Sequence, residues 1–176
     1  FRRVLFRSHV AGIKGSAGVA STMLATHFVP TLMFNVNVLH ACRENGVKRV
    51  LYTSSIGAYA NGEVFKEGEP GTFHDAPMDF AGWAKRMAEL QIYAYHKQYG
   101  LDGYSIVRPS NVYGPGDNFD PKNAMVVGSL MNRIHSGENP LTVWGDGTAI
   151  RDIVFCRDVA EGCILAAHHG TGGRYV

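Results

Sequence analysis

"VKRVLYTSS", residues 47–55, is the stretch that decides the fold. It is short, and β-branched, apolar and aromatic residues fill most of it. Such a run, bounded by turn-forming residues, predicts a buried strand over Val47–Thr53 with Ser54 and Ser55 at its carboxyl end. Open α/β sheets place their binding sites at that end of their strands. The two serines are therefore the first candidate site residues.

Strand and helix predictions alternate along the rest of the chain. Pro30 should introduce a turn or kink in the helix predicted over Thr22–Glu44, because proline lacks an N–H group and clashes with the preceding turn. The other predicted elements are helices over Gly82–Tyr99, 123–136 and Arg157–His169, and strands at "GYSIVRP" (103–109), "LTVWG" (141–145) and "IRDIVF" (150–155). This alternation predicts an α/β fold, a doubly wound Rossmann-like parallel sheet covered on both faces. Residues 60–80 are predicted to be a long irregular loop, either functional or ordinary surface.

The composition is that of an ordinary globular protein, with 45% hydrophobic and 18% charged residues. No apolar run approaches the roughly eighteen residues of a membrane span, and no secretory signal pattern is recognisable, so a cytoplasmic location without membrane contact is predicted. Cys42, Cys156 and Cys163 are odd in number and lack CxxC spacing. They are predicted to be small buried side chains in a reducing compartment, not a disulfide or metal framework.

The first eight residues, "FRRVLFRS", resemble the in-frame translation of a common sequencing-adapter end and are expected to be non-native. The alternative is a genuine edge strand over Val4–Phe6. Removing the three arginines of this segment leaves 14 of the 17 basic side chains against 15 acidic ones, a formal net charge of −1. The basic overall balance therefore predicts no nucleic-acid partner.

Six motifs occur in one order: "HVAG" (9–12), "NVNVL" (35–39), "YTSSIGAY" (52–59), "AKRMAELQ" (84–91), "RPSNVYGPGDNF" (108–119) and "VWGDGTAIRD" (143–152). Together they resemble the extended short-chain dehydrogenase/reductase family, the NAD-dependent epimerases and dehydratases, and within it the GDP-L-fucose synthase-like branch. The resemblance implies hydride transfer on the sugar ring of a nucleotide sugar, NAD or NADP as cofactor, and a homodimer. The family's N-terminal glycine-rich βαβ unit is not found, so residues 9–176 are interpreted as a fragment: a partial NAD(P)-binding domain with the start of a substrate-binding part.

The resemblance implies roles for several residues near the cofactor. Ser55 would be the catalytic hydroxyl on the sugar oxygen, a role that Ser54 could share beside the cofactor, and the alternative is an ordinary turn residue. Lys85 would be catalytic and bind the nicotinamide ribose, although a lysine in the first turn of a helix is otherwise merely solvated. Pro109 would pack near the nicotinamide, and Asn37 would lie beside the cofactor or make a buried helix-to-loop hydrogen bond.

Two residues are candidates for the substrate side of the site. Asn111 resembles the family residue that hydrogen-bonds the sugar or its diphosphate. Arg151 resembles the arginine that clamps the diphosphate, and its alternative is a salt bridge with Asp152 or Asp158. Trp144 is interpreted as a core residue, with stacking on the nucleotide base as a second possibility.

Ala81 stands where the family has its catalytic tyrosine, four residues before Lys85, and its methyl group cannot exchange a proton. Three readings stay open: an inactive form, a phenol from elsewhere (Tyr59 or Tyr113), or a loop side chain (Asp79 or His74). The cysteine and histidine with which fucose synthases invert carbons align with Ile56 and Met125, so a double epimerisation is not expected. The complete protein is predicted to be an enzyme, and the fragment alone to be inactive.

Overall fold

The computed structural model describes residues 6–13, 22–62, 64–68, 76–120 and 123–176. Its strands are β1 (Phe6–His9), β2 (Arg49–Thr53), β3 (Tyr104–Val107), β4 (Asn111–Tyr113) and β5 (Ile153–Phe155). Its helices are α1 (Leu24–Glu44), α2 (Phe80–Tyr99), α3 (Val126–His135) and α4 (Cys156–His169), with one turn of 3-10 helix at Ile56–Ala58. None of the described helices is long and apolar enough to cross a membrane.

β1, β2 and β3 form a parallel sheet in that order, with Val50 opposite Tyr104 and His9 opposite Tyr52. Successive side chains of a strand point to opposite faces of a sheet. On one face, Val50, Tyr52, Tyr104 and Ile106 pack against apolar residues of α1 and α2. On the other face, Leu51 and Val107 pack against Ala166 and Ala167 of α4. The prediction of a parallel α/β sheet covered on both faces is confirmed.

A second, smaller parallel sheet joins β4 to β5, with Val112 opposite Val154. The single sheet expected from the sequence is therefore wrong for the described residues, and β4 was not predicted. Its three residues lie between Pro109 and Gly114, which carry turn signals that hide so short a strand.

Two local predictions differ from the structure. A turn at Pro30 is wrong, because the proline lies inside one continuous helix, and a kink there stays a prediction. α1 is held by a buried stripe at helical spacing that packing favours over local propensity (His27, Thr31, Asn35, Leu39, Cys42). Residues 141–145 form no strand, and Trp144 is 94% exposed instead of lying in the core. The following turn has Gly145 and Gly147 at φ of 91° and 81°, and residues 141–145 pair with none of the described strands.

The remaining sequence predictions concern the cysteines and the two uncertain segments. All three cysteines are free, and Cys42 is buried whereas Cys156 and Cys163 are only partly so. Phe6 to Ser8 belong to β1 and pair with β2 through backbone hydrogen bonds, which almost any sequence can form. The pairing therefore does not test whether residues 1–8 are non-native, and that origin stays a prediction. Part of the 60–80 loop, including His74, lies outside the described residues.

Candidate functional site

Lys85 lies at the carboxyl end of the first sheet. It is half-buried on α2, and its Nζ donates a hydrogen bond of 2.8 Å to the carbonyl oxygen of Thr53, the last residue of β2. The ammonium group also lies 5.2 Å from the centre of the Tyr52 ring, a cation–π contact. Thr53 is two residues before Ser55. The structure therefore brings the two predicted catalytic residues to the same edge of the sheet.

Ser55 begins the 3-10 helix, and its Oγ accepts a hydrogen bond of 3.2 Å from the N–H of Gly57. The next residue, Ile56, donates its N–H to the carbonyl oxygen of Pro109 at 3.3 Å. This bond joins the segment after β2 to the segment after β3, so Pro109 lies beside the serine loop. Its role toward a nicotinamide stays a prediction.

A backbone contact fixes the serine loop against the start of α2. A Cβ atom at Gly82 would overlap the carbonyl oxygen of Gly57, so the contact tolerates only glycine at position 82. Met78 donates its N–H to the same oxygen at 3.1 Å. Asp79, the N-cap residue of α2, accepts a bond of 2.6 Å from the N–H of Gly82. Ser55 and the helix that carries Lys85 are thus held together by main-chain atoms.

Ser54 takes part in a buried ionic network. Its hydroxyl donates to Glu89, and Glu89 accepts two bonds from Arg108, one of them 2.7 Å long from Nε. Neither ionic side chain has any exposed surface. Although burial opposes its charge, the hydrogen bond and charge of Glu89 raise the pKa of Arg108. The hydroxyl of Ser54 is used inside the protein, and a cofactor contact for it stays a prediction.

Sequence reasoning missed Glu89 and Arg108. Both lie inside motifs that were recognised, but their pairing joins residues 19 positions apart on different elements. The available signal was an arginine at the carboxyl end of an otherwise apolar strand. A charged residue in that position needs a buried partner or an exit to solvent.

The helix asparagine that is buried near the site is Asn35, not Asn37. The Oδ1 of Asn35 lies 2.8 Å from Nε2 of His9 at the end of β1, and its Nδ2 donates to the carbonyl oxygen of Ala84 at 3.3 Å. Asn37 is exposed and lies two residues further on, on the opposite side of α1. The alternative of a buried hydrogen bond for Asn37 is therefore wrong. Burial lowers the pKa of His9, and the charge of Lys85 acts in the same direction.

The two phenols considered as substitutes at position 81 are packed against other rings. Tyr59 stacks on Phe65 at 5.0 Å and lies 4.3 Å from the guanidinium of Arg108. Burial raises the pKa of Tyr59, which makes it a poorer proton exchanger near neutral pH. Tyr113 packs its ring 5.5 Å from Phe155 in the second sheet.

Asn111 and Arg151 lie together in the second sheet and the loop before it. Asn111 Nδ2 donates to the carbonyl oxygen of Asp152 at 2.9 Å, next in sequence to Arg151. Arg151 is exposed and forms no ion pair with any described residue, so the salt bridge with Asp152 or Asp158 is wrong. The structure thus brings the two predicted substrate residues together.

A cavity of about 390 Å³ lies between the ends of the two sheets. Arg108–Ser110 line it from the first sheet, and Asp152–Val154 line it from the second. The hydroxyl of Ser110 is buried there without a hydrogen-bond partner among the described residues. Val159, Gly162 and Cys163 of α4 line a further wall, whereas Ser55, Lys85, Asn111 and Arg151 are not among the lining residues.

The positions aligned with the proton-transfer pair of fucose synthases hold Ile56 in the 3-10 helix and Met125 at the exposed start of α3. Neither side chain can move a proton. Among the described residues no cluster of histidine, cysteine, aspartate or glutamate could hold a metal ion.

The chain matches a family model and curated proteins along most of its length. The family model described as the NAD dependent epimerase/dehydratase family matches residues 8–176. The chain is 31% identical over 166 residues to the GDP-L-fucose synthase of Escherichia coli (strain K12), covering 89% of this chain and 51% of that protein. It is 29% identical over 180 residues to GDP-L-fucose synthase 1 of Arabidopsis thaliana, covering 98% of this chain and 54% of that protein.

Solved structures show the same fold. The UDP-glucose 4-epimerase of Thermotoga maritima, solved with UDP-glucose, superposes with a TM-score of 0.77 at 26% identity, over 96% of this chain and 56% of that one. A GDP-L-fucose synthetase from Naegleria fowleri, bound to NADP, gives a TM-score of 0.77 at 21% identity, over 92% of this chain and 55% of that one. The chain spans about half the length of the relatives that it matches.

Proposed function

The chain belongs to the NAD-dependent epimerase/dehydratase family, and from that premise we propose that it is part of a longer NAD(P)-dependent oxidoreductase that acts on the sugar ring of a nucleotide sugar. The observation that carries the proposal is the hydrogen bond from Lys85 to Thr53, which holds an ammonium group beside the serine loop at the carboxyl edge of a parallel sheet. Rossmann-like folds bind dinucleotides at that edge.

The residues at this edge fit the nicotinamide end of a dinucleotide. Lys85 holds a hydrogen-bond-donating ammonium group at the carboxyl end of β2, where a ligand hydroxyl could accept from it. Bound NAD or NADP would supply the hydride acceptor or donor. Lys85 would hold the nicotinamide ribose, and Pro109 would lie against the nicotinamide ring.

Ser55 would hold the reacting sugar oxygen by a hydrogen bond. Arg151 would bind the diphosphate of the nucleotide sugar, because its exposed guanidinium offers a planar fork of donors that suits phosphate oxygens. Asn111, which is anchored to Asp152, would fix the orientation of the sugar or diphosphate.

The first test is turnover by the complete protein, read from its gene. GDP-linked and UDP-linked sugars would be supplied with oxidised or reduced dinucleotides, and the absorbance of reduced nicotinamide and the sugar products would be followed. Ser55→Ala should lower kcat by about 100-fold or more, because the reacting oxygen loses the hydrogen bond that holds it. Lys85→Ala should raise KM for the dinucleotide, whereas Lys97→Ala on the same helix should change neither constant. Turnover that is insensitive to both site substitutions would contradict the proposal.

A specific observation favours a second candidate, a binding protein without turnover. Ala81 lacks the proton of the family's tyrosine, while Arg151 and Lys85 remain available to bind a nucleotide sugar or dinucleotide. Under this candidate, calorimetry detects binding but no product forms, and Ala81→Tyr creates turnover. The 176 residues alone should bind dinucleotide only weakly, since they contain no glycine-rich phosphate turn, and a micromolar dissociation constant would contradict that expectation.

We further propose that the complete protein is a homodimer located in the cytoplasm. Exposed apolar side chains form a stripe on α2 (Phe80, Trp83, Met87) and another on α1 (Val29, Met33, Val36). Two such helices from each subunit could pack as a four-helix bundle. Sedimentation should give a dimer that Met33→Glu dissociates. The three free cysteines fit a reducing compartment.

A further inference from the structure

We propose that Asp79 is the acid/base that exchanges the substrate proton in place of the tyrosine absent at position 81, an inference that rests on the proposed function. Asp79 immediately precedes α2 and is exposed at the same edge as Ser55. Its carboxylate would act on the oxygen that Ser55 holds.

Gly57 relates the position of the Asp79 carboxylate to that of the Ser55 hydroxyl, because both side chains lie close to it. A Cβ atom built on Gly57 would be 3.6 Å from Oδ1 of Asp79 and 3.6 Å from Oγ of Ser55. Both oxygens are therefore in van der Waals range of the same point beside Gly57. A sugar hydroxyl entering beside Ser55 would lie within reach of the carboxylate.

The orientation of Asp79 is fixed by its role as an N-cap. One oxygen, Oδ1, is held at 2.6 Å by the N–H of Gly82, and Gly82 is locked by backbone contact with Gly57. A catalytic group works best when its rotamer is set by bonds that do not depend on substrate. The capping bond thus supplies the orientation that an exposed aspartate would otherwise lack.

The competing groups are placed less well. Tyr59 is stacked between other rings with a raised pKa, and Tyr113 packs against Phe155 in the second sheet. Tyr52, the ring beneath Lys85, is fully buried in the core, and burial raises its pKa well above the usual value. Among these groups only Asp79 combines exposure with proximity to Ser55.

In the oxidative direction the O–H bond of the sugar hydroxyl breaks, and the proton passes to a carboxylate oxygen of Asp79. The electron pair of the broken O–H bond becomes the second bond of the new C=O group. The hydride, with both electrons of the C–H bond, is taken by the oxidised nicotinamide dinucleotide. In the reductive direction the Asp79 carboxyl returns the proton to the oxygen. Ser55 holds that oxygen throughout and keeps its own proton.

The test compares variants of the complete protein. Asp79→Asn retains the helix cap, because asparagine caps as well as aspartate, but it removes the exchangeable proton. Its thermal midpoint should equal that of the wild type, while kcat falls by about 100-fold to 10,000-fold with little change in KM. Asp79→Glu should recover part of the lost rate. Asp158→Asn, at the exposed first turn of α4, is the matched control and should behave as wild type.

Gly57→Ala gives an independent readout. Its Cβ would make ordinary van der Waals contacts with Asp79, Ser55 and Gly82, so folding should be unaffected. The methyl group would nevertheless fill the space between the carboxylate and the hydroxyl. We expect an unchanged thermal midpoint and a loss of kcat. The carboxyl-carbon NMR resonance of Asp79 should also move on addition of nucleotide sugar to the wild type and stay unmoved in Gly57→Ala.

Three outcomes would contradict the inference, and they separate it from the proposed function. If the wild type turns over and Asp79→Asn matches it, Asp79 is not the acid/base, although the proposed oxidoreductase stands. If only Ala81→Tyr turns over, Asp79 does not replace the phenol and the binding-protein candidate is favoured. If neither protein turns over, the inference and the proposed function both fail.

Discussion

Replacing Glu89 by alanine should destabilise the chain more than breaking any of the other described ion pairs, because it leaves Arg108 charged inside the core. The side chains of both residues are 0% exposed, so water cannot take over the lost interaction. The hydroxyl of buried Ser54 would lose its acceptor at the same time.

The magnitude follows from these two losses. Removing one partner of a buried ion pair costs about 3–5 kcal/mol. Leaving a buried hydroxyl without its acceptor adds about 1 kcal/mol or more. Since domains are stable by only about 5–15 kcal/mol, Glu89→Ala should remove a third or more of the free energy of unfolding and lower the urea midpoint strongly.

Urea unfolding followed by circular dichroism measures this directly. Glu138→Gln is the matched control, because Glu138 pairs with Arg133 at the surface and should leave the urea midpoint unchanged. The double replacement Glu89→Leu with Arg108→Met should recover most of the loss, since apolar side chains of similar size can replace a buried pair. The reasoning is refuted if Glu89→Ala shifts the midpoint no more than Glu138→Gln does.

Three further predictions concern other contacts. Gly82→Ala should lower the free energy of unfolding by about 1–3 kcal/mol, because its Cβ overlaps the Gly57 carbonyl. Gly162→Ala, with open space around it, should instead stabilise α4 by about 0.5–1 kcal/mol. Thermal unfolding of the two variants measures both effects. Since burial lowers the folded-state pKa of His9 below its usual 6.5, the unfolded chain binds the proton more readily. The stability contributed by neutral His9 should therefore be complete above the unfolded-state pKa of 6.5 and should be lost as the pH falls from 6.5 to the lower folded-state pKa. His9→Gln should flatten this pH dependence of the thermal midpoint. Trp144→Phe should remove the water-exposed component of tryptophan fluorescence and most iodide quenching, leaving the signal of Trp83, which is 37% exposed; unchanged quenching would contradict the position of Trp144.

The parts of the fold that could be predicted from the sequence are those whose signal is local. β2 and α2 appear within a few residues of the predicted bounds, because an apolar β-branched run and a glycine after a helical pattern are each sufficient. β4 was missed, whereas the strand predicted at residues 141–145 does not form, and both errors have the same cause. A three-residue strand exists only through its pairing with β5, and a strand-like composition without a partner forms no strand.

The site shows the same division. The ordered motifs placed Ser55 and Lys85 together, as the structure does, through a bond between Lys85 and Thr53. Helical periodicity could have identified Asn35 as the buried asparagine, since Asn35 is in phase with Thr31 and Leu39 whereas Asn37 is not. A cofactor contact for Asn37 stays a prediction. No local signal, in contrast, predicts that Glu89 on α2 reaches Arg108 at the end of β3.

The buried pair also bears on why the serine loop keeps its shape without a tyrosine at position 81. An ion pair with no exposed surface contributes little net stability, because desolvating both charges offsets their attraction. What Glu89 does provide is a fixed acceptor for Ser54, so the peptide leading into Ser55 has one orientation. The contact of Gly82 with Gly57 fixes the other side of the same loop. Neither device uses the side chain at position 81, and the geometry around Ser55 is therefore independent of the side chain at that position.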